Sequence, residues 1–140
     1  NDTAYVTMRA VQFFLPGEPQ VYYVGLFNGM DDVELFNKTG QGRDTNRHHF
    51  TPAEIATALE QPVTQAIIAL ARLRKLPVFE GQFSWTVLSS HSIRLQWVKG
   101  AEQISLEFKT TVDAPEFVIE VTDAGGTKKY SGVNELAAAK

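Results

Sequence analysis

The chain lacks cysteine, long apolar runs and an excess of positive charge. Without cysteine it can have no disulfide framework, no thiolate metal site and no cysteine nucleophile. No apolar stretch approaches the roughly 18–20 residues that a membrane-spanning helix needs, and no signal-peptide pattern is visible at the amino end. We therefore expect no membrane partner.

The charge balance bears on nucleic-acid binding. The formal net charge is −3, whereas most autonomous nucleic-acid-binding proteins are basic, because neutralising phosphates supplies much of their affinity. This balance disfavours a strong solitary nucleic-acid binder. It leaves room for local basic patches or for a basic partner subunit.

Motifs for catalysis and for cofactor binding are also missing. His48-His49 is the only histidine pair, and neighbouring strand residues point to opposite faces, so the two cannot easily share a metal. Gly40-Gln41-Gly42 lacks the further residues of a dinucleotide or phosphate loop, and no serine lies on a Gly-x-Ser-x-Gly elbow. The sequence therefore predicts a non-enzymatic protein with no metal and no cofactor.

The chain does contain two successive series of segments whose composition is typical of β-strands. Residues 5–51 combine β-branched and aromatic side chains with turns rich in Gly, Pro and Asp, a composition typical of short strands. The predicted strands of this half are residues 5–15, 21–27, 33–38 and 48–50. The last of them leads directly into a helix.

The start of that helix is the sharpest local signal. Thr51-Pro52-Ala53-Glu54 has a capping-box residue at each end and proline at the first helical position. The helix is predicted to continue to about residue 75. Pro62 removes one backbone hydrogen bond, so we expect a kink or a restart at Gln61.

The second half, residues 82–133, alternates apolar and polar side chains between polar turns, one of them at Asp113-Ala114-Pro115. This pattern predicts an antiparallel meander with one face on a core and one face in water. Asn134 is predicted to cap a second helix that runs to the last residue. The aromatic residues on the apolar alternation, which we expect in the core, are Phe83, Trp85, Trp97, Phe108 and Phe117.

Together the halves predict a single domain, residues 1–140, of α+β class. It would consist of two quasi-repeats. The first, residues 5–76, is strands plus a long helix, and the second, residues 82–140, is strands plus the start of a helix.

Aromatic and cationic residues of the first half suggest a binding face. In the predicted strands Tyr5 shares a face with Arg9, and Phe36 shares a face with Lys38. One of two neighbouring tyrosines, Tyr22, is the candidate to point away from the helix-covered side. Such a face can stack bases at about 1–3 kcal/mol each and hold phosphates. The alternative, left open, is that the second half or another subunit covers these rings.

The segment from Arg47 to Leu59 resembles the strand-to-helix junction of the Whirly family, and the repeated plan is similar to that family and to the Pur-alpha repeats. The resemblance implies two antiparallel four-stranded sheets, each followed by a helix, with the second helix truncated. It also implies a tetramer that binds single-stranded RNA or DNA. Within this class, guide-RNA-binding proteins of trypanosomatid mitochondria anneal RNA strands as hetero-tetramers. The lysine-rich signature of plant Whirly proteins is absent.

The leading hypothesis is therefore a mitochondrial protein that binds single-stranded nucleic acid, most simply RNA, together with a homologous partner subunit, and that promotes annealing as in RNA editing. The predicted nucleic-acid contacts are Tyr5, Tyr22 and Phe36 for bases, and Arg9, Lys38, Arg43, Arg47, Arg94, Lys99 and Lys109 for phosphates. Two alternatives remain open. One is a structural subunit of a larger assembly, and the other is a small-ligand binder with an apolar cavity between sheet and helix.

Overall fold

The first half of the chain is helical. The computed structural model describes residues 1–111 and 115–139. Residues 1–80 form helices α1 (Asp2–Phe14), α2 (Tyr23–Leu26), α3 (Val33–Thr39), α4 (Pro52–Leu59) and α5 (Pro62–Leu73), with 3₁₀ turns at Gly42–Asn46 and Pro77–Glu80. The four strands predicted between residues 5 and 51 are therefore wrong.

Helix α1 forms because its buried positions follow a helical period. Val6, Ala10, Phe13 and Phe14 are buried, whereas Met8, which a strand would place beside Val6, is 64% exposed. Intervals of four, three and one residues place the buried set on one face of a helix. Tertiary packing here outweighs the strand preference of β-branched and aromatic residues.

Helix α3 is defined by its two ends. The Asp32 side chain accepts a hydrogen bond from the backbone N–H of Leu35 at 2.8 Å, which is the usual chemistry of a helix N-cap. Gly40 ends the helix with φ of 67°, a left-handed conformation that glycine adopts without a Cβ penalty. The residues predicted as a turn and a strand thus form a cap and a helix.

The predicted capping box and the predicted helix restart are both confirmed. The backbone N–H of Thr51 donates to the Glu54 carboxylate at 2.7 Å, and the backbone N–H of Glu54 donates to the Thr51 hydroxyl at 3.3 Å. Helix α4 ends at Leu59, and Gln61 is the N-cap of α5, which has Pro62 as its first residue. The proline therefore divides one predicted helix into two.

The second half is one antiparallel sheet in chain order, β1-β2-β3-β4-β5. Its strands are β1 (Gln82–Ser89), β2 (Ser92–Lys99), β3 (Glu102–Lys109), β4 (Phe117–Asp123) and β5 (Gly126–Ser131). Leu95, Leu106 and Ile119 lie opposite one another on successive strands. This confirms the predicted meander and its apolar face.

The core lies between that apolar face and the helices. Trp97 on β2 joins the two layers, because its ring N–H donates to the carbonyl of Phe14 at the end of α1 at 2.7 Å. Trp85, also predicted to be buried, is instead 63% exposed. The largest fully buried apolar side chains are Phe14, Ile67, Leu70, Ile104, Leu106, Ile119 and Leu136.

Helix α6 (Val133–Ala137) packs beside α5 and β5. It begins after Gly132, which has φ of 90° and is the N-cap, so Asn134 is not the cap. The predicted turn residues Asp113 and Ala114, and Lys140 at the end of the predicted helix, lie outside the described residues. None of the described helices has the length and apolarity needed to cross a membrane.

The predicted fold class is therefore corrected. The chain has one five-stranded antiparallel sheet with helices, in place of two four-stranded sheets that are each followed by a helix. The repeat was inferred from composition in the first half, where β-type residues in fact occupy helical positions. Only the second half combines β-type composition with a strict two-residue period of burial.

Candidate functional site

Charged side chains converge where α3, the first 3₁₀ turn and α4 meet. We call this set the charged cluster, and its members are Asp32, Arg43, Asp44, Arg47, His48 and Glu54. A groove of about 580 Å³ beside it is lined by residues 29–34 together with His48 and Phe50. The groove lining combines acidic with apolar side chains, which suits a polar ligand that also presents an apolar face.

Asp44 organises the arginine side of the cluster. Its carboxylate is mostly buried and lies 3.9 Å from Arg43 Nε and 3.9 Å from Arg47 Nη1. The two guanidinium side chains remain 66% and 49% exposed. Each therefore keeps donors directed to solvent that can bind the oxygen atoms of a ligand.

His48 lies between two carboxylates on the other side of the cluster. Its Nδ1 is 3.8 Å from Asp32 and its Nε2 is 3.3 Å from Glu54. The pKa of Glu54 is lowered, first by the hydrogen bond from the Thr51 backbone N–H, then by the Thr51 hydroxyl, with a smaller contribution from His48. The cap of α4 thus keeps this carboxylate ionised and directed toward His48.

Aromatic rings pack against His48 of the charged cluster and against one another. Phe50 packs edge-on against His48 with ring centres 4.7 Å apart, and against Phe27 at 5.2 Å. Tyr23 contacts both Phe50, at 6.0 Å, and Tyr22, at 4.5 Å. A hydrogen bond with Tyr22 raises the pKa of Tyr23, and nearby Arg47 opposes that shift. The rings tie α2 to the segment that carries the charges.

The stacking residues predicted from the sequence do not share a face. Tyr5 lies on α1, Tyr22 immediately precedes α2, and Phe36 lies on α3. Tyr5 is engaged internally, since its hydroxyl donates to the carbonyl of Gly25 at 2.6 Å. The predicted aromatic platform is therefore wrong, because its strands do not form.

The predicted cations are also dispersed. Arg9 lies on α1 and donates to the Tyr5 hydroxyl at 2.9 Å, while Lys38 lies in the last turn of α3. Of the predicted cationic residues, only Arg43 and Arg47 are brought together, at the charged cluster.

The three predicted phosphate contacts on the sheet are each paired with a glutamate. Arg94 pairs with Glu107, Lys99 with Glu80 at 2.5 Å, and Lys109 with Glu116 at 2.6 Å. The Lys99 ammonium lowers the pKa of Glu80 through a hydrogen bond and its charge. The carboxylates neutralise these three cations and would repel a polyanion, which disfavours phosphate binding at these positions.

Four members of the charged cluster were not predicted to act together: Asp32, Asp44, His48 and Glu54. In the predicted arrangement Asp32 directly precedes the third strand and His48 begins the fourth, which does not bring them together. The pattern from Asp32 to Gly40, an N-cap residue followed by a C-terminal glycine, is the signal that could have revealed α3. No group of three or more described side chains is arranged to hold a metal ion.

Comparison with known proteins does not support the family that the sequence resembles. No protein-family model matches the chain. A sucrose phosphorylase of Bifidobacterium adolescentis is 49% identical over 110 residues, which are 78% of this chain and 22% of that protein. A glucosylglycerol phosphorylase of Marinobacter adhaerens is 41% identical over 115 residues, 79% of this chain and 24% of that protein.

A comparison with solved structures also finds a phosphorylase. The crystal structure of sucrose 6F-phosphate phosphorylase from Thermoanaerobacter thermosaccharolyticum matches 94% of this chain with a TM-score of 0.85 and 34% identity. This chain is similar to a segment of sucrose phosphorylases. It spans about a quarter of the length of these phosphorylase relatives.

These relatives overturn the resemblance to the Whirly and Pur-alpha class. Single-stranded nucleic acid as partner, RNA editing and a non-enzymatic role are all contradicted, because the relatives are phosphorylases, which are enzymes that act on sugars. The alternative of a structural subunit gains no support from them. The junction from Arg47 to Leu59 misled because a capping box is common to many helices.

Proposed function

We propose that this chain is part of a glycosyl phosphorylase that transfers a glucosyl group from a glucoside to inorganic phosphate. In this reaction the bond between the sugar C1 and the glycosidic oxygen breaks, and a bond between C1 and a phosphate oxygen forms. The departing oxygen takes up a proton and leaves as an alcohol. The observation that supports the proposal is the similarity to phosphorylases along most of the chain.

The names of the relatives narrow the substrate class. They describe sucrose, glucosylglycerol and sucrose 6F-phosphate, which share a glucosyl group and differ in the group attached to it. The glucosyl donor is therefore the constant part of the proposed substrate. The acceptor alcohol is the part that varies.

We place the proposed proton transfer outside this segment. Glycosyl transfer normally uses a carboxylic acid with a raised pKa beside a second carboxylate. The described carboxyl groups that depart clearly from the ordinary pKa, Glu54 and Glu80, are both lowered. Neither of these two carboxylates suits the role of the acid. Because the chain spans about a quarter of its phosphorylase relatives, we assign the catalytic carboxylates to other parts of the enzyme and give this segment a supporting role.

The charged cluster is our candidate for contact with substrate. Arg43 and Arg47 hold exposed guanidinium groups close together on one buried carboxylate. A guanidinium group can donate two parallel hydrogen bonds to phosphate or to vicinal sugar hydroxyls. A phosphorylase needs both kinds of contact, since sugar and phosphate must meet at one carbon atom.

An acceptor panel tests the proposal on the purified natural protein. With glucose 1-phosphate as donor, we expect phosphate release that depends on adding fructose, fructose 6-phosphate or glycerol, because phosphorolysis is reversible. The acceptor that gives the highest rate identifies the natural glucoside. The same rate of phosphate release with and without every acceptor would contradict a phosphorylase.

A further inference from the structure

Strand β1 is an edge strand without the usual protection. Its eight residues, Gln82–Ser89, include no charged residue, no proline and no glycine. The opposite edge, β5, carries Lys128 and Lys129, and charged residues of this kind discourage pairing between sheet edges. The outer side of β1 has no strand partner in the part of the chain that the structure describes.

The apolar face of β1 is also incompletely covered. Helix α1 packs over β2 and β3, and α6 packs against β5, so the helical layer lies to one side of β1. Phe83 is half-buried against the ring of Trp97, at 5.1 Å between ring centres. Farther along the strand, Trp85 is 63% exposed and Val87 is 58% exposed. An indole exposed on the core side of a sheet favours an interaction site.

The central residues of β1, 83–87, are complementary to themselves. If two copies of the strand run antiparallel about a two-fold axis at Trp85, each Trp85 lies opposite the other, and Phe83 lies opposite Val87. Ser84 then lies opposite Thr86 on the other face. Over residues 83–87 each apolar side chain therefore meets an apolar one, each hydroxyl meets a hydroxyl, and no charge is buried. Beyond them, Leu88 lies opposite Gln82 at each end of the pairing.

We propose that β1 pairs with β1 of a second copy of this chain, so that the two sheets become continuous across a two-fold axis. The pairing satisfies the free backbone groups of both edges, as strand addition does elsewhere. It also buries the two Trp85 rings in one cross-strand pair, the kind of contact that stabilises sheets. A two-fold interface needs only a self-complementary patch, which β1 supplies.

The absence of cysteine from these residues allows a test that is specific to the register. In the natural protein, with any cysteine outside residues 1–140 replaced by serine, Trp85→Cys places two thiols on opposite residues, about 5 Å apart between Cα atoms. Val87→Cys, at a similarly exposed position on the same face, places them four residues out of register, about 13 Å apart. A disulfide requires Cα atoms closer than about 7 Å.

We expect mild oxidation to produce a disulfide-linked dimer from Trp85→Cys and very little from Val87→Cys. Equal yields would show random collision and overturn the proposal. An unreactive thiol in a monomeric Trp85→Cys protein would overturn it as well, since β1 would then be covered by another part of the protein.

Sedimentation equilibrium provides a second readout. Trp85→Lys should weaken the dimer at least about tenfold, because like charges would face each other at the axis. Val98→Lys changes an exposed apolar residue of β2 on the sheet face opposite to Trp85. It should leave the dissociation constant of the dimer unchanged. A natural protein that is monomeric at every concentration, or equal effects of both substitutions, would contradict the β1 interface.

Discussion

At the residue scale, Tyr5 connects α1 to α2 through its hydroxyl group. The hydroxyl donates to Gly25 at 2.6 Å and accepts from Arg9 Nη2 at 2.9 Å. The hydroxyl also accepts from Arg9 Nε at 3.2 Å. Tyr5→Phe removes all three bonds and leaves a carbonyl and a guanidinium with fewer partners, so we expect the free energy of unfolding to fall by about 1–3 kcal/mol. Chemical denaturation measures the loss. Tyr130→Phe, on β5, is the control and should change stability by less than about 0.5 kcal/mol.

Thr64 offers a prediction of the opposite sign. Its side chain is fully buried in α5, and its hydroxyl has no hydrogen-bond partner among the described residues. Thr64→Val replaces an unsatisfied polar group with a methyl group of the same shape, so we expect stability to rise by about 1 kcal/mol. A drop of similar size in a thermal melt would mean that the hydroxyl is satisfied after all.

At the element scale, the capping box of α4 predicts a pH dependence. The lowered pKa of Glu54 means that its contribution to stability is fully present above the unfolded-state value, about 4.3, and is lost as the pH falls through the lower folded-state pKa. Glu54→Gln should therefore lower the melting temperature at pH 7, and this deficit should shrink as the pH falls below about 4.3. Glu60→Gln, just past the end of α4, is the control and should show no such change with pH. A deficit for Glu54→Gln that persists unchanged at pH 3 would argue against the ionised cap.

Thr51 tests the same cap without changing charge. Thr51→Ala removes the acceptor for the Glu54 backbone N–H, and losing such an N-cap costs about 1 kcal/mol. Urea denaturation at neutral pH measures this directly. If the free energy of unfolding does not fall measurably, the Thr51 cap does not stabilise α4, and the flanking contacts alone do.

The elements also show what the sequence can predict. The cap at Thr51, the restart at Pro62 and the meander were all predictable, because each depends on a local rule that tertiary packing does not override. Helix α1 was not, because Tyr5, Val6 and Thr7 have strand preferences and only the position of the core selects the helical period. Helix α3 does carry readable signals in Asp32 and Gly40, but the same residue types also favour turns, so they do not by themselves separate a helix from a strand between two turns.

The candidate site was only partly predictable for the same reason. Arg43 and Arg47 stand out in the sequence as a pair of cations in a polar loop. Their partners depend on α3, which brings Asp32 toward His48, and on the 3₁₀ turn, which buries Asp44. A site assembled from a helix cap, a turn and a second helix cap cannot be recognised until those elements are correct.

At the scale of the whole molecule, the charged cluster should affect catalysis rather than folding. In the natural protein we expect Arg43→Gln and Arg47→Gln each to lower kcat/KM for phosphorolysis by about tenfold or more, as the loss of a charge-assisted hydrogen bond of 1.5–3 kcal/mol implies. Arg72→Gln, an exposed arginine at the far end of α5, is the control and should leave kcat/KM within about twofold. If all three variants behave alike, the cluster is not part of the substrate site.

The central claim is that phosphate, and not water, receives the glucosyl group. The most direct measurement is a ³¹P NMR time course of the natural protein with sucrose, glucosylglycerol or sucrose 6F-phosphate and inorganic phosphate. We expect the phosphate signal to decrease while a glucose 1-phosphate signal grows in equal amount with at least one of these donors. Release of free glucose with an unchanged phosphate signal would identify a hydrolase and contradict the account, and so would the absence of turnover with all three donors.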